Sequence, residues 1–168
     1  MGIELVKVSG NDARLIFDSW GYNPENFRYL STAPQKNVAD ARQYLDRALL
    51  YGNDLVFHIK HSESKRIVGL IKAKIEGHRA LVGFVIDQPF WGQGVATRAV
   101  MQFIPLLKRD PAISRIWATC AINNIGSSRV LEKCGFLREG ILKNWIIYPV
   151  QGCDAHDNFS YYLDDNNC

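Results

Sequence analysis

Strand-like and helix-like periods alternate along these 168 residues, predicting an α/β (α+β) sandwich around one mixed sheet with about four helices. Three observations carry that expectation. Short runs rich in Val, Ile and Phe alternate with segments of helical period. Arg115–Ile122 is almost continuously apolar, as in a central strand covered on both faces. An apolar run ending at Ile86 passes through a Gly-rich turn directly into a helix.

Ile3–Val8 alternates as a first strand, and Ser9 with Asp12 three residues on starts a helix over Ala13–Trp20. Gly21 and Pro24 end it, and Asn23–Pro34 reads as an irregular loop. Val38, Ala41, Leu45, Ala48 and Leu49 recur at helical spacing up to Leu50. Leu55–Ile59 is a strand whose antiparallel partner is Ile67–Ile75, and Gly77 turns the chain into Ala80–Ile86. The next helix presents Ala96, Ala99, Val100, Phe103 and Leu107 on one face, with Pro105 kinking or ending it. A short helix, Ser127–Cys134, has Asn124 placed to cap it and Gly135 where a left-handed terminator belongs. Leu137–Ile147 and Phe159–Leu163 are further strands, joined by a polar loop, Pro149–Asp157.

The size suits one domain over 1–168, and 47% hydrophobic with 22% charged residues is ordinary for a globular chain. A net charge of +3 with dispersed Lys and Arg gives no nucleic-acid surface, though it favours a small anionic ligand. The first residues lack the apolar stretch of an export signal, and no run reaches membrane-spanning length. Cys120, Cys134, Cys153 and Cys168 have no paired spacing, so they are expected as reduced thiols of a cytoplasmic protein, two in the core and Cys168 loose at the end. No metal site is expected.

The turn Pro89–Trp91 followed by Gly92 and Gly94 carries the chemistry. A Gly-rich turn at a helix start leaves backbone N–H groups unpaired at the positive end of the helix dipole, which is a phosphate site. A nucleotide-binding GxxxxGK[ST] loop is excluded because nothing supplies the lysine. A dinucleotide GxGxxG fingerprint fails at Thr97, where its third glycine belongs, and no acidic residue follows at a strand end. Trp91-Gly92-Gln93-Gly94-Val95-Ala96 instead resembles the [QR]xxGx[GA] acyl-CoA pyrophosphate loop of the GNAT superfamily of N-acetyltransferases, with Trp91 in place of Gln or Arg. Asn124-Ile125-Gly126-Ser127 through Glu132-Lys133-Cys134-Gly135-Phe136 resembles the same superfamily's NxxSxxxxEKxGF segment. Arg28-Tyr29-Leu30, Glu139-Gly140 and Asp157 are similar to its RimJ/RimL-like branch, so the resemblance spans essentially the whole chain.

That resemblance implies a mostly antiparallel sheet whose central strands splay to form an acyl-CoA cleft. It implies acetyl-CoA as cosubstrate and a primary amine, on a small molecule or a protein N-terminus, as acceptor. Val85 and Ile86 would contact pantetheine through the main chain, and Gly92, Gln93, Gly94, Val95, Ala96 and Thr97 would bind pyrophosphate. Asn124 would bond the pantetheine amide, and Ser127 would stabilise or protonate the departing thiolate; Tyr148 and Trp145 are weaker alternatives for that role. Arg98 could reach a phosphate or be solvated, and the solvated position is favoured. Attack by the amine is direct, with no covalent intermediate on Cys134, which lies at a helix C-terminus where the dipole raises a thiol pKa. The strand Ala80–Phe84 lacks the glutamate that many relatives carry as base. Glu76 is the catalytic candidate left, beside His78, His58, Asp154, His156 and Asp157. The alternative reading is a degenerate member that binds CoA as a sensor or interaction module. The chain would act as a monomer or homodimer.

Overall fold

The computed structural model describes residues 2–164 except Tyr51 and Asn53; Cys168 lies outside the described residues. The chain begins with β1 (Ile3–Lys7) and α1 (Ala13–Ile16), which widens into a single π-helical turn at Phe17–Gly21. A 3₁₀ turn, Pro24–Phe27, falls inside the segment expected to be irregular. Then come α2 (Val38–Leu49), β2 (Leu55–His61), β3 (Ile67–Glu76) and β4 (Arg79–Ile86). After the 3₁₀ turn Gln88–Phe90 follow α3 (Val95–Leu107), β5 (Arg115–Ala121), α4 (Ile125–Lys133), β6 (Phe136–Ile147) and β7 (Ala155–Leu163).

Seven strands form one sheet in the order β1-β2-β3-β4-β5-β7-β6, and only β4 and β5 run parallel. Alternation along the strands sends side chains to two cores. On one face α3 buries Val95, Ala99, Val100, Phe103 and Leu107 against Ile59, Ile71, Ala73 and Val82. Each buried Val, Leu, Ile or Phe side chain contributes roughly 1.5–3 kcal/mol. On the other face Ile16, Trp20, Phe27 and Leu45 from the first helical segments cover Val56, Leu70 and Val85. The mixed, mostly antiparallel sheet between helices is the architecture the sequence predicts.

Three local expectations change. Pro105 does not end α3, which continues to Leu107 with the Lys108 N–H donating to Ile104 O at 3.1 Å. β7 starts at Ala155, pairing with Ile147, because the β6–β7 ladder resumes beyond a bulge at Leu142–Ile146. That shortens the loop expected over Pro149–Asp157. In β5, Ile116, Ala118 and Cys120 are buried while Arg115, Trp117 and Thr119 are half-covered, so one face is less enclosed than the apolar run suggests.

The parallel pair positions the site. β4 pairs with β3 along its whole length, yet it pairs with β5 only at Arg79–Leu81, against Arg115–Trp117. His78 O accepts the Ser114 and Arg115 N–H groups at 3.0 and 3.1 Å, pinning the two strands at that end. Beyond Leu81 they separate, because β5 follows β7 on its other edge from Trp117 to Ala121. The segments leaving both C-terminal ends, Asp87–Gly94 and Ile122–Ser127, therefore stand on the two sides of one opening. Among the described residues no helix is long and apolar enough to cross a membrane.

Candidate functional site

The loop on the β4 side is tied from within. The Trp91 indole N–H donates to Ile86 O at 2.6 Å, and the Gln93 side-chain amide donates to Pro89 O at 2.8 Å. Gly92 and Gly94 both sit at φ +73°, the left-handed region that side chains with a Cβ adopt only under strain. Gly94 is the N-cap of α3 and has no side chain with which to cap it. The first helical bond is from the Arg98 N–H to Gly94 O at 3.1 Å. The N–H groups of Val95, Ala96 and Thr97 precede it and have no partner within the helix. Among the described residues, Gln93 and Gly94 also donate to no backbone acceptor. These donors converge at the positive end of the α3 dipole, an arrangement suited to a diphosphate.

Arg98 is only partly exposed. Its guanidinium turns back over the loop and donates to Gln93 O at 2.8 Å, its Nε is buried without a partner, and Nη1 lies 3.0 Å from where a Cβ on Gly94 would stand. It braces the turn and leaves a positive charge beside the N–H cluster. A one-turn spacing from Gly94 to Arg98 permits this, although the sequence only marks Arg98 as a polar helix position.

A buried amide anchors the loop to the rest of the fold. Asn26 donates to Trp20 O and to Asp87 Oδ1, each at 2.9 Å, and its own oxygen accepts the Gln88 N–H at 2.8 Å. Asn26 and Asp87 are only 6% and 5% exposed, so no water replaces a lost partner easily. Asn26→Leu is expected to lower stability by about 3 kcal/mol, since it strands a buried carboxylate and a buried N–H together. Urea unfolding checks this, and a loss below about 1 kcal/mol would show the network to be unimportant.

Across the opening, Asn124 caps α4: its side-chain oxygen accepts the Ser127 N–H at 3.1 Å. Its NH₂ group remains as the free end of that side chain. The Ser127 hydroxyl has no hydrogen-bond partner among the described residues and is half-exposed. Gly135, at φ +86°, ends the helix in the left-handed conformation expected of it. Tyr29 reaches this side as well, donating to Asn123 O at 3.3 Å. Tyr148 is buried, donates to Asn158 Oδ1 at 2.9 Å and meets the Tyr29 ring edge-on. Trp145 instead lies exposed on β6, the sheet's edge strand.

The carboxylates and histidines are mostly committed elsewhere. Glu76 stands exposed at the β3–β4 hairpin, 2.6 Å from Lys74 and 3.8 Å from Arg79. Its hydrogen bond from Lys74, then the charge of Lys74 and that of Arg79, hold its carboxyl below the usual range, the wrong direction for a base. The structure therefore does not bring Glu76 forward as the proton acceptor. Asp157 is likewise held low by the Lys143 ammonium and the Asn144 N–H. His58 faces Asp12 at 3.0 Å in the second core. His156 packs on Tyr148, while His78 and Asp154 are exposed. Burial raises the Cys134 thiol to about 11, and its Sγ points at Thr97 O, so it is a packing residue.

Two parallel strands parting beside a glycine loop and a bare helix N-terminus define an acyltransferase of the GNAT class. The family profile described as "Acetyltransferase (GNAT) domain" matches residues 3–137, and the chain belongs to that family, whose cosubstrate is acetyl-CoA. It is 27% identical over 149 residues to an uncharacterized N-acetyltransferase, p20, of Bacillus licheniformis, covering 85% of this chain and 83% of that protein. It is 27% identical over 107 residues to the ribosomal protein uS5-alanine N-acetyltransferase of Escherichia coli, covering 61% and 55%. Among solved structures, a GNAT-family acetyltransferase from Bacillus anthracis superposes with a TM-score of 0.82 at 20% identity, over 99% of this chain and 97% of that one. RimL, the ribosomal L7/L12 alpha-N-protein acetyltransferase, superposes with a TM-score of 0.83 at 21% identity, over 95% and 92%. At these identities the structural likeness speaks for the fold.

Proposed function

We propose that this chain, as a single cytoplasmic domain, acetylates a primary amine that reaches the site already neutral. The observation that carries the reading is the parting of β4 from β5 immediately before the unpaired N–H groups of Gln93–Thr97. Acetyl-CoA supplies the activated acetyl group as a thioester. The chain holds its diphosphate on the loop and Arg98, offers the open edge at Val85 and Ile86 to pantetheine as if to an added strand, and presents the Asn124 amide across the cleft. Ser127 places a hydroxyl at the mouth of the opening, where it would donate a proton or hydrogen bond to the leaving thiolate. Held side by side, amine and thioester gain most of their acceleration from proximity.

The strand before the loop, Ala80–Phe84, carries no carboxylate, and Glu76 is held low by Lys74 and Arg79. That supports an α-amine, with a pKa of about 8, over a lysine-like amine near 10.4. The same acceptor chemistry is that of RimL, the alpha-N-protein acetyltransferase whose fold this chain shares. CoA-thiol release from acetyl-CoA across a panel of amines and free-N-terminus peptides tests the proposal. With the best acceptor, kcat/KM is expected to rise with pH along the titration of that acceptor's own amine. A separate ascending limb near pH 6–7 would indicate an enzymic base instead. Tight acetyl-CoA binding with no acylation up to pH about 9, where an α-amine is mostly neutral, would favour the sensor reading.

A further inference from the structure

On the sheet face away from α3, a cavity of about 110 Å³ is bounded by the segment Leu30–Thr32, by Tyr44 of α2, and by Lys72 and Gly83–Val85. Lys72 is its single charged wall residue. The sequence gives little warning of it: Lys72 is a cation in the middle of the apolar run Ile67–Ile75, where alternation alone assigns it to a solvated face. The structure instead leaves it half-buried, with its ammonium 5.6 Å from the centre of the Tyr44 ring. Among the described residues it has no hydrogen-bond or ion-pair partner. Asp54 acts on it only at a distance and is engaged with the Ile75 N–H at 2.9 Å.

A cation drawn from water without an anion is costly, and burial already pulls its pKa down. The missing anion has a place to sit. Lys72 lies opposite Gly83 in the β3–β4 register, and the space a Cβ would occupy at Gly83 is empty. Gly83–Val85 belongs to the stretch of β4 that has parted from β5. An acceptor anchored at Lys72 would therefore hold its amine beside the strand on which the acetyl donor is placed. The other walls, Leu30, Ser31, Thr32 and Phe84, carry no charge to oppose it. A polycationic acceptor would meet the Lys72 charge, offset only at a distance by Asp54.

We propose that Lys72 is the anion-recognition residue of the acceptor pocket, and that the acceptor is a small primary amine bearing a carboxylate, such as an α-amino acid. The proposal rests on the acetyl-transfer reading above, and the test separates the two. L-Leucine and L-serine are compared with L-leucinamide and L-serinamide, and with spermidine, as acceptors, kcat/KM being expressed per neutral amine. The acids are expected to exceed their amides at least tenfold, with spermidine unreactive. Lys72→Met should lower kcat/KM at least tenfold for the acids and less than threefold for the amides. Lys72→Arg should retain most of the preference.

Paired peptides beginning Ser-Asp and Ser-Asn identify the source of the anion. A preference confined to the acidic peptide, and lost in Lys72→Met, would keep the subsite but move the carboxylate to a protein N-terminus. Calorimetric titration of N-acetyl-L-leucine and its amide, with and without CoA, reads the subsite without turnover. Selective binding of the acid that Lys72→Met removes would support the subsite even if no amine were acetylated; failure of acetyl-CoA to bind would instead count against the transfer reading. Equal rates and equal affinities for acid and amide in the unaltered protein, or equal losses for both in Lys72→Met, would overturn the proposal.

Discussion

Gly94→Trp is expected to weaken acetyl-CoA binding at least 100-fold while the protein stays folded. Two effects combine. Any Cβ at φ +73° strains the backbone by about 1–2 kcal/mol, and at this position it also comes within 3.0 Å of the Arg98 guanidinium. The indole beyond it would cover the N–H groups of Gln93–Thr97. Hydrogen bonds to a charged group contribute roughly 1.5–3 kcal/mol each, so losing two of them is enough for the predicted factor. Gly92→Ala separates strain from obstruction. Gly92 shares the left-handed conformation, but a Cβ there meets nothing within 4 Å, so its loss should stay below about tenfold. Calorimetric titration with acetyl-CoA measures both, and circular dichroism checks the fold. Unchanged affinity in Gly94→Trp would refute the phosphate-loop assignment.

The two halves of the site differ in how far the sequence foretells them. Gly94, Asn124 and Gly135 are legible because each answers a local demand: a left-handed residue at a helix start, a cap and a terminator. The strands are legible for the same reason, their period being written into neighbouring residues. What is not legible depends on contacts between distant segments. Nothing local says that β7 inserts between β5 and β6, although that insertion leads β5 away from β4 and opens the cleft. Asn26 and Asp87 are 61 residues apart, and neither looks buried in sequence. Arg98 is favoured in sequence as a solvated helix position, as lone charges in amphipathic elements usually are. Arg98 instead folds onto a glycine loop that has no side chain in its way, and Lys72 lies beneath the Leu30–Thr32 segment. Glu76 shows the converse failure. Its position at a turn near the key strand makes it attractive in sequence, and only the geometry reveals Lys74 and Arg79 on either side of it.

Ser127→Ala is expected to lower kcat about 10- to 100-fold and to leave acetyl-CoA affinity within about twofold. The backbone N–H of Ser127 is already taken by the Asn124 cap, so the substitution leaves the start of α4 intact. The hydroxyl has no partner among the described residues, and Ala suits a helix at least as well as Ser, so stability should not fall. On the proposed mechanism, what disappears is a donor to the charge that develops as the thioester breaks, and loss of such a donor appears in kcat before KM. Asn124→Ala is the counterpart: removing the cap should cost about 1 kcal/mol of stability and, on the proposed role of its amide, weaken CoA binding. Single-turnover acetyl transfer at saturating acetyl-CoA distinguishes the pair, because product release cannot mask the chemical step there. If the single-turnover rate of Ser127→Ala equals that of the unaltered protein, the thiolate leaves without help from this hydroxyl, and Ser127 serves only as the first turn of α4.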